Sequence, residues 1–109
     1  MSQRDYLEAL FEIVDALNNK YPTGKTPFQI VARLAEEVGE LAQAVNHWER
    51  TGIKAEKYGP PDRAKLATEV HHVLRAALGV ARYYGIEGEL KDSIDTSHRW
   101  HTNHGYLQK

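Results

Sequence analysis

Apolar side chains return every three to four residues along two long stretches of this chain, with no alternating, strand-like pattern beside them. Phe28, Val31, Leu34, Val38, Leu41, Ala42 and Val45 make one band. Leu66, Val70, Val73, Leu74, Ala77, Leu78 and Ala81 make the second. At ~3.6 residues per turn, such spacing lines up along one side of an α-helix, whereas a half-buried strand needs a period of two. A banded helix has to bury its band against another helix, so the expected class is all-α.

The punctuation fits four helices in one domain over residues 1–109. The first is expected from about Asp5 to Asn18, carrying Leu7, Leu10, Phe11, Val14 and Leu17, with turn formers from Asn18 to Gly24 ending it. Thr26-Pro27 reads as an N-cap followed by proline at the first helical position, and the second helix is expected to reach about Arg50. Thr51 to Pro61 reads as a loop of roughly ten residues, long for a compact bundle. The third helix is expected from about Asp62 to Tyr84, stopped by Gly85. A fourth, weaker one runs from about Glu87 to Trp100 on Leu90 and Ile94 alone, with 101–109 expected to fray.

Chain length and charge narrow the partners. A chain of 109 residues buries only ~65% of its unfolded surface, so packing against a second copy would help. The net charge is −1 with acids and bases interspersed, which argues against a dedicated nucleic-acid or membrane-surface binder. No cysteine is present, so disulfides, thiolate metal sites and cysteine nucleophiles are excluded. No apolar run approaches the ~20 residues of a membrane span, and the start lacks an apolar signal core. A cytoplasmic location is expected.

Two acidic pairs interrupt the margins of the apolar bands. Glu37 and Glu40 sit three apart on the second helix, and Glu69 and His72 three apart on the third. That spacing puts each pair ~60° apart around the axis and ~4.5 Å along it. Carboxylates beside a core band are costly unless paired or metal-bound. An ordinary amphipathic helix with boundary glutamates turned to water is the plain alternative for any one of them. Oxygen-rich sites with open positions suit Mg²⁺ or Mn²⁺, which then bridge substrate phosphates.

The run Leu34-Ala35-Glu36-Glu37-Val38-Gly39-Glu40-Leu41-Ala42-Gln43-Ala44 resembles the first motif of the MazG-like nucleotide pyrophosphohydrolases, within the all-α nucleoside-triphosphate pyrophosphatase superfamily. That family pairs two adjacent glutamates and a third with a later glutamate and aspartate three apart. Here positions 41 to 68, 28 residues, separate Glu40 from Glu69. Val73-Leu74 and Gly85-Ile86 also fit, and the resemblance spans roughly Leu7 to Trp100. It implies a four-helix domain completed as a homodimer or a dimer of dimers. The implied reaction hydrolyses a nucleoside triphosphate between its α and β phosphates. By position, Glu37, Glu40 and Glu69 would be metal ligands, and Glu36 would hold a second ion or activate the attacking water.

This chain departs from the pattern in two places. His72 stands where the family has aspartate; an imidazole adds no negative charge, bridges no pair of ions and favours softer divalent ions such as Mn²⁺. It is retained provisionally as a fourth ligand. On the fourth helix Asp92 and Thr96 occupy places where the family often has phosphate-holding lysine and asparagine, while Arg99 survives as an expected substrate contact. Trp48 is a candidate base-stacking wall, with core or dimer packing as the plainer use.

Other readings stay open at this point. One is a catalytically silent homologue serving as a nucleotide sensor or interaction module; another is a phosphoribosyl-ATP pyrophosphohydrolase. His98, His101 and His104 lie at helical spacing, and with the Glu69-x-x-His72 pair they leave a dimetal carboxylate protein as a third.

Overall fold

A computed structural model describes residues 4–49 and 59–107. The described residues form four helices and no strand: α1 (Tyr6–Lys20), α2 (Pro27–Trp48), α3 (Arg63–Tyr84) and α4 (Glu87–Asn103). Three of the four starts have a side-chain cap, and α4, entered at Ile86, has none. Asp5 accepts the Glu8 N–H at 3.0 Å, and Asp62 accepts the Ala64 N–H at 2.9 Å. Thr26 and Gln29 cap each other reciprocally ahead of Pro27. Gly85 ends α3 in the left-handed region, φ 64°, and the Ile86 N–H reaches back to the Ala81 carbonyl.

Two ends differ from the sequence expectation. α1 continues through Asn18 and Asn19 to Lys20, whose charge suits a helix C-terminus. α4 continues past Trp100, and the segment beyond it is not simply frayed. His101 bonds the Ser97 carbonyl at 2.7 Å, and the Trp100 ring stacks on His104 with centroids 4.0 Å apart. Tyr106 lies parallel to the same indole. Most of the expected Thr51–Pro61 loop, residues 51–58, lies outside the described residues, as do 108–109.

α3 is the centre of the fold. α1, α2 and α4 each pack against it; among the described residues α2 packs on neither of the other two, while α1 and α4 meet only through side chains, at the Lys91–Glu8 ion pair (3.7 Å) and around the shared core. The buried core is small: Phe11, Val14, Leu78 and Ala81, with Leu7, Leu10 and Leu90 around it. Arg82 ties this end together. Its guanidinium makes two hydrogen bonds to Asp15 on α1 and one to Glu87 on α4, and lies 4.6 Å from the Phe11 ring centroid.

Glu87 is held below the usual carboxylate range by its own backbone N–H at the start of α4 and by Arg82. A depressed native value stabilises the fold in full above the unfolded value near ~4.3, and that contribution is lost as pH falls through the lower native value. Arg82→Met is therefore expected to lower Tm by a few degrees at neutral pH, and by less once the carboxylates are protonated. Thermal melts followed by circular dichroism between about pH 7 and about pH 3 check this; an equal loss at every pH would contradict it.

The α2 band is not a core in the single chain. Leu34 and Leu41 are half-buried against α3, but no residue of α2 is buried, and Phe28 is 83% exposed. Val31, Val38 and Val45, with Val70 and Leu74 of α3, are open as well. The cause is topological: among the described helices α2 packs on α3 alone, and one neighbour covers only part of an apolar band as wide as this one. Among the described residues no helix is long and apolar enough to cross a membrane.

Candidate metal centre

The α2–α3 seam brings both acidic pairs together. Glu37 faces His72, with His72 Nδ1 3.5 Å from Glu37 Oε2, and Glu40 lies beside Glu69, so the two helices run antiparallel. Glu37, Glu40, Glu69 and His72 each offer one ligand atom within 4.8 Å of the other three. Ligand oxygens around one small divalent ion at ~2.1 Å lie between ~3 and ~4.2 Å apart, so the group is near the size of such a site and would have to draw in to close on an ion. Among the described residues this is the one cluster of three or more such side chains.

Burial supplies an independent test of fit. Glu69 is 3% exposed, the only charged residue in the buried set among the described residues. Its Oε2, and Oε2 of Glu37, are buried without a hydrogen-bond partner. The 3.5 Å approach of His72 is too long to satisfy the latter. Orphaned carboxylate oxygens are expensive, and a cation between them removes that cost. The donor set, three carboxylates and one imidazole, is one that a divalent cation accepts.

Glu69 Oε1 is held by Lys65 Nζ at 2.9 Å, one turn earlier on α3. Lys65 is the main reason the Glu69 carboxyl lies below its usual range, against a burial cost that pushes it up. Sequence reasoning missed Lys65, although its position four residues before an acid on one helix was a readable signal.

Beyond the cluster, towards the end of α2, lies a cavity of about 290 Å³. Trp48, His47, Gln43, Leu66 and Lys65 line it, with Glu40 and Glu69 at its inner end. Arg63 stands 5.9 Å over the Trp48 ring. Trp48 therefore lines a cavity that Glu40 and Glu69 also line.

Two expected residues are not gathered in. Glu36 is exposed and outside the group of four, because one residue of helix turns it ~100° from Glu37. Arg99 belongs to α4, which packs on α3 and not on α2, and it does not line the cavity. The histidine row on α4 forms no ligand group: His101 and His104 each spend Nδ1 on a backbone carbonyl one turn back. No known protein family, curated protein or solved structure matches the chain.

Proposed function

We propose that this chain is a metal-dependent nucleoside triphosphate pyrophosphohydrolase of the MazG-like kind, releasing a monophosphate and pyrophosphate. The observation that carries the reading is the four-ligand group with two orphaned carboxylate oxygens, opening on a cavity walled by an indole. Glu37, Glu40, Glu69 and His72 would hold Mg²⁺ or Mn²⁺. When bound, the ion neutralises the triphosphate and polarises the phosphorus–oxygen bond to be broken. Trp48 offers its face to the base, a contact that tolerates any base. Glu36, at the exposed rim, accepts the proton of the attacking water once substrate and water fill the space beside Glu37. The proposal puts this work in the cytoplasm.

The working unit in this proposal is a homodimer, or a dimer of dimers, formed through the open α2–α3 face. The chain exposes 8482 Å², where a compact monomer of its mass exposes about 6,100 Å². Its radius of gyration is 17.1 Å, against about 13 Å for a compact domain of this length. The surplus surface exceeds the ~800 Å² per partner of a stable interface.

Pyrophosphate release from a panel of ribo- and deoxynucleoside triphosphates, with Mg²⁺ and Mn²⁺ compared, tests the activity. His72→Asp is expected to shift the preference from Mn²⁺ towards Mg²⁺ by roughly tenfold or more; unchanged metal dependence would count against His72 as a ligand. The silent-homologue reading has its own support, since Lys65 occupies a Glu69 oxygen and Glu36 is turned aside. Nucleotide binding without turnover under any metal would decide for it.

A further inference from the structure

α1 and α2 both pack on α3 but not on each other, and the gap between them is a groove of about 560 Å³ floored by Ala76 and Gly79. Its charge is one-sided. Lys25, Arg33, Arg75 and Arg82 line it, and no acidic residue does. Arg82 is neutralised by Asp15 and Glu87, but Lys25, Arg33 and Arg75 make no ion pair among the described residues. In a chain of net charge −1 this is a local segregation of cations, not the average surface.

The position of the groove is as telling as its charge. Arg33 stands four residues before Glu37 on α2, ~6 Å along the axis, and Arg75 three after His72 on α3, ~4.5 Å along. Both therefore lie on the faces that carry the ligands, one turn beyond them. The opposite end of the cluster opens on the Trp48 cavity. The seam reads in order as indole, carboxylates, guanidinium groups.

We infer that the groove is a phosphate-binding subsite, and that it holds the terminal phosphates of the substrate, the end that leaves as pyrophosphate. The second half of this statement rests on the pyrophosphohydrolase reading. Planar guanidinium forks match phosphate oxygens in pairs, and two arginines converging from different helices fix an extended anion in one direction. Tyr83, at the groove edge, adds a hydroxyl donor. The arrangement sets polarity: the base lies towards Trp48, the α phosphate at the carboxylates, and the leaving group towards Arg33 and Arg75.

The test uses the full chain and the Arg33→Gln/Arg75→Gln variant, with inorganic pyrophosphate, tripolyphosphate and orthophosphate titrated calorimetrically. Wild type is expected to bind pyrophosphate and tripolyphosphate better than orthophosphate, and the double variant to lose at least tenfold. Its Mn²⁺ affinity and Tm should stay as in wild type, which separates a subsite from a folding defect. Where turnover is measured, KM for the triphosphate and the inhibition constant of pyrophosphate should rise together, with nucleoside monophosphate affinity unchanged. Absence of pyrophosphate binding by wild type, or equal binding by the variant, overturns the inference even if nucleotides are hydrolysed. Loss of pyrophosphate binding in a chain that hydrolyses no nucleotide upholds the subsite and removes the hydrolase.

Discussion

Replacing Glu69 by glutamine is expected to remove divalent-ion binding and, with it, at least ~100-fold of any hydrolysis, because even outer-shell partners of metal ligands cost up to ~100-fold. The fold should survive. Glu69 is buried, one of its oxygens is unsatisfied, and the amide keeps the shape without the charge. Without added metal the variant should melt somewhat below wild type, since the depressed Glu69 carboxyl marks an ionised form that Lys65 favours in the folded chain. Mn²⁺ should raise the Tm of wild type and leave that of Glu69→Gln where it was. Melting both proteins with and without Mn²⁺ reads these signs directly. A variant that still gains Tm from Mn²⁺ would show that the ion binds somewhere other than the Glu37, Glu40, Glu69 and His72 group.

The second large effect concerns assembly. Val38 and Leu74 are exposed at the middle of the open apolar face, so an aspartate at both costs the single chain little. At the centre of an interface between two copies the same charges would be desolvated, and each such site is worth ~2 kcal/mol or more. The double variant is expected to dissociate at concentrations at least ~30-fold higher than wild type does. Sedimentation across a concentration series measures this. The wild-type Tm should rise with protein concentration, whereas the variant's should not. A wild-type chain that sediments as a monomer throughout would sink the dimer.

The class of the fold was legible because it rests on local signals. Thr26-Pro27, Asp62 and Gly85 act on their own backbones within a turn, and each marks the boundary the sequence suggested. What the bands pack against was not legible. Phe28 and Leu34 look alike as members of one stripe, yet one is open and the other half-buried, because the difference depends on how many helices surround α2. The acidic site shows the same division. Spacing alone put Glu37 with Glu40 and Glu69 with His72, while their meeting across the seam depends on antiparallel packing that no local signal encodes. Arg99 was named by resemblance of position, and the topology keeps it away from the cavity within one chain. The basic groove escaped notice because Lys25, Arg33 and Arg75 are far apart in sequence and ordinary one by one.

Lys65 gives the site a counter-ion of its own. Its ammonium rests 2.9 Å from Glu69 Oε1. If the group binds a divalent ion as proposed, loading would be an exchange, in which the incoming ion competes with a tethered monovalent one. A tethered competitor has a fixed local concentration that dilution does not change. Weakly held ions would be kept out at a threshold set by the protein itself, and an ammonium once displaced stays within reach of whatever anion the metal brings with it.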